Sequence, residues 1–256
     1  MRLTVPTPRQ RHLPKLILLA CVGLWSFSLM PEDAAQRPRA AATAQANPGT
    51  RLQAPPFEAP FALPPGPSTW LLIQPYGNTV FAYRLKTSMY VSGQGFHFGI
   101  DLAARCGTPV VAIGAGTVVE VDSLAHGAGP HNLMIDHPNG YASFYGHLLK
   151  RPDLLAGQTV RAGQEVALSG DPDGTCTSRP HLHLEIRDAP SHRHAFNPIP
   201  LIGVDWNRIA LASGAPLRFE QDLEAPQTWQ TLYDQPDVTF GGKLLNAYKS
   251  AWPPEN

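Results

Sequence analysis

Three stretches of the chain alternate polar and apolar residues with the two-residue period of a half-buried β-strand, namely 96–101, 141–148 and 179–187. In the last stretch, the apolar positions Leu182, Leu184 and Ile186 are predicted to face the core. The opposite, polar faces of the three stretches carry imidazole, carboxylate and phenol groups: His97, Asp101, Tyr145, His147, His181 and His183. We therefore predict three strands that bring these groups to one place.

Other short patterns also predict strands. Residues 70–75 are a mostly apolar run that ends at Pro75. Residues 131–137 alternate and lead into the turn sequence Pro138-Asn139-Gly140, which predicts a hairpin with His147 at its far end. We expect a mainly β fold.

Two further regions have no helical period. The β-branched runs 108–113 and 116–121 are separated by glycine and predict a tight β pair. Residues 155–167 have glycines at six-residue spacing, which favours short turns and strands over a helix.

The clustered histidines suit a zinc site, because imidazole nitrogen binds zinc well and a catalytic zinc takes three protein ligands. On a strand, His181 and His183 are about 6.7 Å apart at Cα, so one of them can bind metal while the other faces water. His97 and Asp101 would be about 13 Å apart on a straight strand, so the backbone must bend between them. Gly99 would permit that bend. The residues alone leave the ligand set open.

The motifs His97-x-Gly-x-Asp101, Tyr145-x-His147-Leu and His181-Leu-His183-x-Glu, in this order, resemble the lysostaphin/LytM-type zinc metallopeptidases of family M23. The resemblance covers roughly residues 70–200. It implies an antiparallel β-sandwich or half-barrel with glycine-rich loops around a metal groove. It also implies one bound zinc ion, with His97, Asp101 and His183 as its ligands and with His147 and His181 as the catalytic pair beside the reacting water.

The same resemblance implies an endopeptidase that cleaves peptide stems or cross-bridges of bacterial peptidoglycan. The alternative is a catalytically inactive LytM-like scaffold or activator of cell-wall hydrolases. Such domains usually lack one or more of the five positions, and all five are filled here. The remaining histidines have no partner in the motifs and are expected to be surface or structural residues: His126, His131, His137, His192 and His194.

Composition and charge bound the organisation of the chain. With 256 residues, 43% of them apolar, it can form one good-sized domain plus tails, and its zero formal net charge gives no reason to expect nucleic-acid binding.

Basic residues precede an apolar run at 16–30, so residues 1–30 are predicted to be an export signal or an N-terminal anchor. Such an anchor is the only membrane contact that we expect. Residues 18–21 faintly resemble a lipoprotein cleavage box ending at Cys21. The expected location is extracellular, periplasmic or associated with the cell envelope.

The rest of the chain divides by composition. Residues 31–65 are rich in alanine and proline and are predicted to be a linker. An M23-like domain is expected over 66–200, and a C-terminal extension over 201–256.

Cys106 and Cys176 would remain after loss of a signal containing Cys21, and an even count in an exported protein favours one disulfide. Two free thiols or a metal-binding pair are the alternative. Cys106 lies five residues after Asp101, and Cys176 lies five before His181. If the two ligand segments implied by the resemblance meet at one zinc ion, the cysteines are brought within bridging distance.

Overall fold

Short β-strands form most of the structure, a computed structural model that describes residues 54–90, 95–129, 131–212, 220–221 and 229–242. The strands are β1 (Trp70–Gln74), β2 (Ile100–Ala104), β3 (Pro109–Val111), β4 (Gly116–Val121), β5 (Leu133–Asp136), β6 (Tyr141–Gly146), β7 (Thr159–Val160), β8 (Glu165–Leu168), β9 (His181–Asp188), β10 (His194–Phe196), β11 (Glu220–Gln221), β12 (Trp229–Gln230) and β13 (Val238–Thr239). The helices are α1 (Val80–Arg84), α2 (Trp206–Ala212) and a 3₁₀ turn at Leu124–His126.

Within these ranges, no helix is long and apolar enough to cross a membrane. The predicted export signal at 1–30, Cys21 and the linker up to residue 53 lie outside the described residues.

One large antiparallel sheet has the strand order β1-β2-β9-β6-β5-β4-β7. Strand β10 adds to this sheet by pairing with β9 and with β13. Strands β3 and β8 form a separate antiparallel pair, as do β11 and β12. The predicted mainly β, antiparallel class is confirmed, and β9 lies near the centre of the large sheet with β2 and β6 on its two sides.

The core lies on the apolar face of β9. Leu182, Leu184 and Ile186 are fully buried there, in one cluster with Val110 of β3 and Val166 of β8. Burying a side chain of this size stabilises the fold by about 1.5–3 kcal/mol. The cluster therefore joins the large sheet and the β3–β8 pair into two packed layers.

Several strand predictions are confirmed. The run at 70–75 forms β1, and residues 155–167 contain the short strands β7 and β8. The predicted hairpin is β5 and β6, which pair antiparallel across the Pro138-Asn139-Gly140 turn. Gly140 has a φ of 85°, a left-handed conformation that favours glycine over other residues.

The predicted β pair between 108–113 and 116–121 is wrong. Strand β3 pairs with β8, whereas β4 pairs with β5 and β7 in the large sheet. The bend between the two runs carries the chain from one layer to the other. Val110 and Val111 of the first run and Val118 of the second are buried in their own sheets, and local alternation does not specify which strand will be the partner.

Aromatic residues from both sides of the predicted 66–200 domain enter the same core. Phe57 and Phe61, which composition places in the linker, are 3% and 4% exposed. Phe57 forms a backbone bridge with Ile202, and Trp206 of α2 is fully buried. The proline-rich composition predicts a linker. The two large aromatic side chains nevertheless attach this segment to the core.

The predicted disulfide between Cys106 and Cys176 is confirmed. The two Cα atoms are 5.8 Å apart, across a sequence separation of 70 residues. The bond connects the segment after β2 to the segment before β9, so it ties together the two strands that carry Asp101 and His183.

Replacing both cysteines with serine is expected to lower the free energy of unfolding by about 4 kcal/mol, because the bond closes a long loop in the unfolded chain. Urea unfolding in the presence of a metal chelator would measure this loss without a contribution from bound metal. Wild-type protein treated with reductant should behave like the double variant. A loss below about 1 kcal/mol would show that the bond adds little to stability.

Candidate metal centre

Strand register brings two of the predicted ligands together. Asp101 on β2 lies directly opposite His183 on β9. Side chains at such paired positions project from the same face, with Cβ atoms about 4.5–5.5 Å apart. His97 lies just before β2, where its backbone pairs with Gly77 in an isolated bridge. All three side chains are buried.

The ligand-type atoms of these residues point at one another. Asp101 Oδ1 is 2.8 Å from His183 Nδ1 and 3.2 Å from His97 Nε2. The two imidazole nitrogens, His97 Nε2 and His183 Nδ1, are 3.2 Å apart. Donors around a tetrahedral zinc ion are about 3.3–3.6 Å apart, given zinc–ligand distances of about 2.0–2.2 Å. Each edge of the triangle would need to lengthen by about 0.1–0.8 Å to accept such an ion.

Hydrogen bonds on the outer side of each ring leave the inner nitrogen available to a metal. His97 Nδ1 lies 2.8 Å from the carbonyl oxygen of Pro75, to which it donates. His183 Nε2 lies 2.9 Å from Glu185 Oε1, to which it donates. Because each ring donates a hydrogen bond from its outer nitrogen, the other nitrogens, His97 Nε2 and His183 Nδ1, face the centre. The residues present therefore fit a metal ion, and they are a buried group of three metal-binding side chains in the described part of the chain.

Gly99 is needed in this centre for space. Its φ is not in the left-handed range, and β2 begins only at Ile100. A Cβ atom at this position would lie 2.5 Å from the Leu184 carbonyl oxygen and 2.9 Å from the His183 ring. Glycine therefore lets the segment of His97 approach β9 closely.

His147 and His181 lie beside the triangle. Their rings are 4.8 Å apart between centroids, and His147 is 5.8 Å from the ring of His183. His181 donates from Nδ1 to the Arg179 carbonyl oxygen at 2.6 Å, so its Nε2 faces the centre, 3.9 Å from Asp101 Oδ1. His147 Nδ1 is buried and has no hydrogen-bond partner among the residues that the structure describes.

The prediction that Tyr145 and His147 share one face is wrong. Tyr145 is fully buried in the core, where its hydroxyl accepts a hydrogen bond from the Ile113 backbone N–H at 2.9 Å. Strand β6 ends at Gly146, and His147 has a φ of 57°. This left-handed residue interrupts the alternation and turns the imidazole towards His181.

Burial and charge set the proton affinities of the site. Burial disfavours ionisation of Asp101 and Glu185, but their histidine and arginine partners outweigh it, so the pKa of Asp101 is well below its usual value and that of Glu185 falls to about 2. Burial also opposes protonation of His183, yet hydrogen bonds to both carboxylates raise its pKa to about 9. For His147, burial and the neighbouring His183 and His181 outweigh the charge of Asp101 and lower the pKa to about 3.

The five histidines outside the motifs have polar contacts of their own with residues other than the three predicted ligands. His131, His192 and His194 contact Asp122, Asp136 and Thr239, respectively. His137 is buried between the Ala115 carbonyl oxygen and the Ser143 hydroxyl, and His126 contacts Glu120 and Arg187.

The site extends through Glu185 and Arg187 to His126, and the link to His126 is not predicted from the sequence. Glu185 Oε2 accepts a hydrogen bond from Arg187 Nε at 2.7 Å, and Arg187 reaches His126. The alternation of β9 places Arg187 on the same face as His183, which is a usable signal. No pattern in the sequence indicates that the loop after β4 delivers His126 to this position.

A buried His/Asp/His triangle on an antiparallel β domain, flanked by two further histidines, defines a candidate metallohydrolase. The model of peptidase family M23 matches residues 95–198, the segment that contains all five of these residues. This chain therefore contains a domain of peptidase family M23, as the motifs predict.

Three similar proteins illustrate the match. An uncharacterized metalloprotease of Haemophilus influenzae is 42% identical over 103 residues, which cover 40% of this chain and 20% of that protein. The peptidoglycan DD-endopeptidase ShyA of Vibrio cholerae is 40% identical over 90 residues, 35% of this chain and 20% of that protein. The structure of the catalytic domain of the antimicrobial peptidase lysostaphin from Staphylococcus simulans is 30% identical, with a TM-score of 0.36, and the match covers 42% of this chain and 79% of that structure. The chain thus spans about a fifth of the two full-length relatives.

Proposed function

We propose that this protein is a zinc-dependent endopeptidase that cleaves peptide stems or cross-bridges of bacterial peptidoglycan. The observation that carries the proposal is the convergence of His97, Asp101 and His183 within an M23 domain, with one ligand-type atom of each side chain facing one point. The substrate class is supported by the relative ShyA, whose name specifies peptidoglycan.

In this proposal, His97 and His183 bind one zinc ion through Nε2 and Nδ1, respectively, and Asp101 binds it through a carboxylate oxygen. Bound zinc supplies Lewis-acid polarisation of the peptide carbonyl and acidifies a water molecule towards neutral pH. The negative charge of Asp101 and the outward hydrogen bonds of both rings orient this set before the ion arrives.

In this proposal, His181 and His147 accept and return protons during the reaction or stabilise the developing charge. The sequence contains no His-Glu-x-x-His helix, so the usual glutamate base of that metalloprotease class is absent. The Arg179 carbonyl fixes the tautomer of His181 and leaves Nε2 as an acceptor. The low pKa of His147, about 3, keeps its imidazole neutral at pH 7, so the ring can orient water or substrate without carrying charge.

We place this activity in the cell envelope or outside the cell, as the N-terminal sequence pattern and the proposed substrate suggest. A disulfide is consistent with an oxidising compartment.

The test is digestion of purified cell walls with two cross-link chemistries, direct peptide cross-links and glycine bridges, followed by mass analysis of the released fragments. The protein is used with zinc, after removal of zinc by a chelator, and as the His181→Ala variant. Soluble peptide fragments from zinc-loaded wild type alone are expected, and the fragment masses identify the bond. A protein that binds zinc yet releases nothing from either wall would contradict the endopeptidase assignment and favour a scaffold or activator.

Zinc binding at pH 7 is expected to release about one proton, because a metal-bound histidine must be deprotonated. In the metal-free protein, the pKa of His183 is raised to about 9, so its imidazole carries a proton at pH 7 that zinc must displace. Below that pKa, apparent zinc affinity should fall about tenfold for each unit by which the pH is lowered. Calorimetric titration in two buffers of different ionisation enthalpy measures the proton count. Binding without proton release at pH 7 would contradict protonation of His183.

A further inference from the structure

Arg187 is a buried cation behind the metal centre. It follows His183 and Glu185 on the same face of β9, and only 4% of its surface is exposed. A guanidinium group cannot lose its charge at neutral pH, so its burial requires partners of matching charge or polarity.

The first partner of Arg187 is the carboxylate that orients a candidate zinc ligand. Glu185 accepts hydrogen bonds at both oxygens, from His183 Nε2 at Oε1 and from Arg187 Nε at Oε2. With one donor on each oxygen, the carboxylate has a single orientation. The ring of His183 is thereby held with Nδ1 towards Asp101.

The second partner of Arg187 lies on a different segment. Arg187 Nη1 is 2.9 Å from His126 Nδ1, and His126 Nε2 is 2.7 Å from Glu120 Oε2. Arginine can only donate, so His126 must accept at Nδ1 and donate from Nε2 to Glu120. The chain of hydrogen bonds therefore runs from the centre to a partly exposed carboxylate on β4.

Two aromatic rings complete the surroundings of Arg187. Its guanidinium carbon lies 5.0 Å from the ring centre of Phe144 and 4.6 Å from that of Phe240. Such cation–π contacts contribute more when the cation is removed from water. Phe240 lies outside the segment matched by the M23 family model, so the C-terminal part of this chain contributes to the guanidinium site.

We propose that Arg187 is a positioning residue of the metal centre, which fixes Glu185 and through it the ring of His183, and that His126 anchors Arg187 from the loop after β4. The inference rests on the proposed function, since it assigns a role relative to zinc at His183. Loss of such an outer partner typically lowers metal affinity or activity by about 10–100-fold.

The test compares the full-length variants Arg187→Met, Arg187→Lys and, as a matched control, Arg161→Met at an exposed arginine. Zinc affinity is measured by competition with a chromophoric chelator, and the ligand geometry by the visible absorption spectrum after cobalt substitution. Arg187→Met should bind zinc about 10–100-fold more weakly and show an altered cobalt spectrum. Arg187→Lys should recover part of both, and Arg161→Met should match wild type.

A second variant keeps the inference testable if Arg187→Met does not fold. His126 is only partly buried, and His126→Ala removes the anchor while leaving Arg187 in place. We expect a smaller loss of zinc affinity in His126→Ala, and recovery in His126→Gln, whose amide can accept from Arg187 and donate to Glu120.

The inference is overturned if wild type binds zinc and folded Arg187→Met binds it equally well with an unchanged cobalt spectrum. It is also overturned if Arg187→Met is unfolded and His126→Ala matches wild type in both measurements. Failure of wild type to bind zinc at all would instead refute the proposed metal site itself, so the two failures are distinguishable.

Discussion

His183→Ala is expected to remove nearly all zinc binding at micromolar concentrations, and His97→Ala and Asp101→Ala should have effects of the same kind. Each variant removes one of the three donors that face one another within 3.2 Å. Because loss of an outer hydrogen-bond partner alone costs about 10–100-fold in affinity, loss of a ligand should cost more. In His183→Ala the carboxylate of Glu185 also loses a buried partner.

Metal analysis after gel filtration gives the stoichiometry, which should be one zinc ion per wild-type chain and close to zero in the three ligand variants. His194→Ala is a suitable control, because His194 contacts Thr239 away from the centre. Circular dichroism in the presence of chelator tests whether each variant has the wild-type fold without metal. Unchanged zinc in folded His183→Ala would refute the proposed ligand set.

The strands near the site could be predicted from sequence because their residues alternate so clearly. On β9, Leu182, Leu184 and Ile186 face the core as predicted. The other face, expected to be half-exposed, is also buried: His183, Glu185 and Arg187 are all at most 8% exposed. Alternation distinguishes the two faces, but it does not show that loops and the C-terminal segment cover the polar one.

Strand partners and the exit from a strand could not be predicted locally. The β3 and β4 runs look like a hairpin in sequence, yet they pair in different sheets, because partner choice depends on contacts distant in the chain. The left-handed conformation of His147 likewise could not be predicted locally, because a positive φ is uncommon for any residue other than glycine. The ligand set came from resemblance to a family, and register explains why Asp101 and His183 meet.

The structural reason for a glycine at position 99 also could not be predicted from the local sequence. The sequence indicates that the segment between His97 and Asp101 cannot be a straight strand, and it predicts that Gly99 permits the bend. In the structure, the missing side chain is what matters, because β9 occupies the space where a Cβ atom would lie. Close approach between segments that are more than 80 residues apart cannot be derived from the local pattern.

His147→Ala and His181→Ala are expected to retain one zinc ion but to lose about 10²–10⁴-fold in peptide hydrolysis, the range for removal of a general acid–base group. Both rings border the triangle without belonging to it: His181 Nε2 is 3.9 Å from Asp101 Oδ1, and the His147 ring packs against that of His181. This separation of metal binding from turnover distinguishes the pair from the three ligands.

The measurement combines zinc stoichiometry with the rate of fragment release from cell walls, for each variant and for the His194→Ala control. A pH–rate profile adds a second readout, because loss of a proton-transfer group should remove or shift one limb of the wild-type curve. Loss of zinc in His181→Ala would indicate that His181 is a zinc ligand, since its Nε2 already faces Asp101. Near-normal turnover in either zinc-loaded variant would mean that a different group transfers the proton. The next residue to replace would then be Tyr90, because its ring lies 5.7 Å from that of His97.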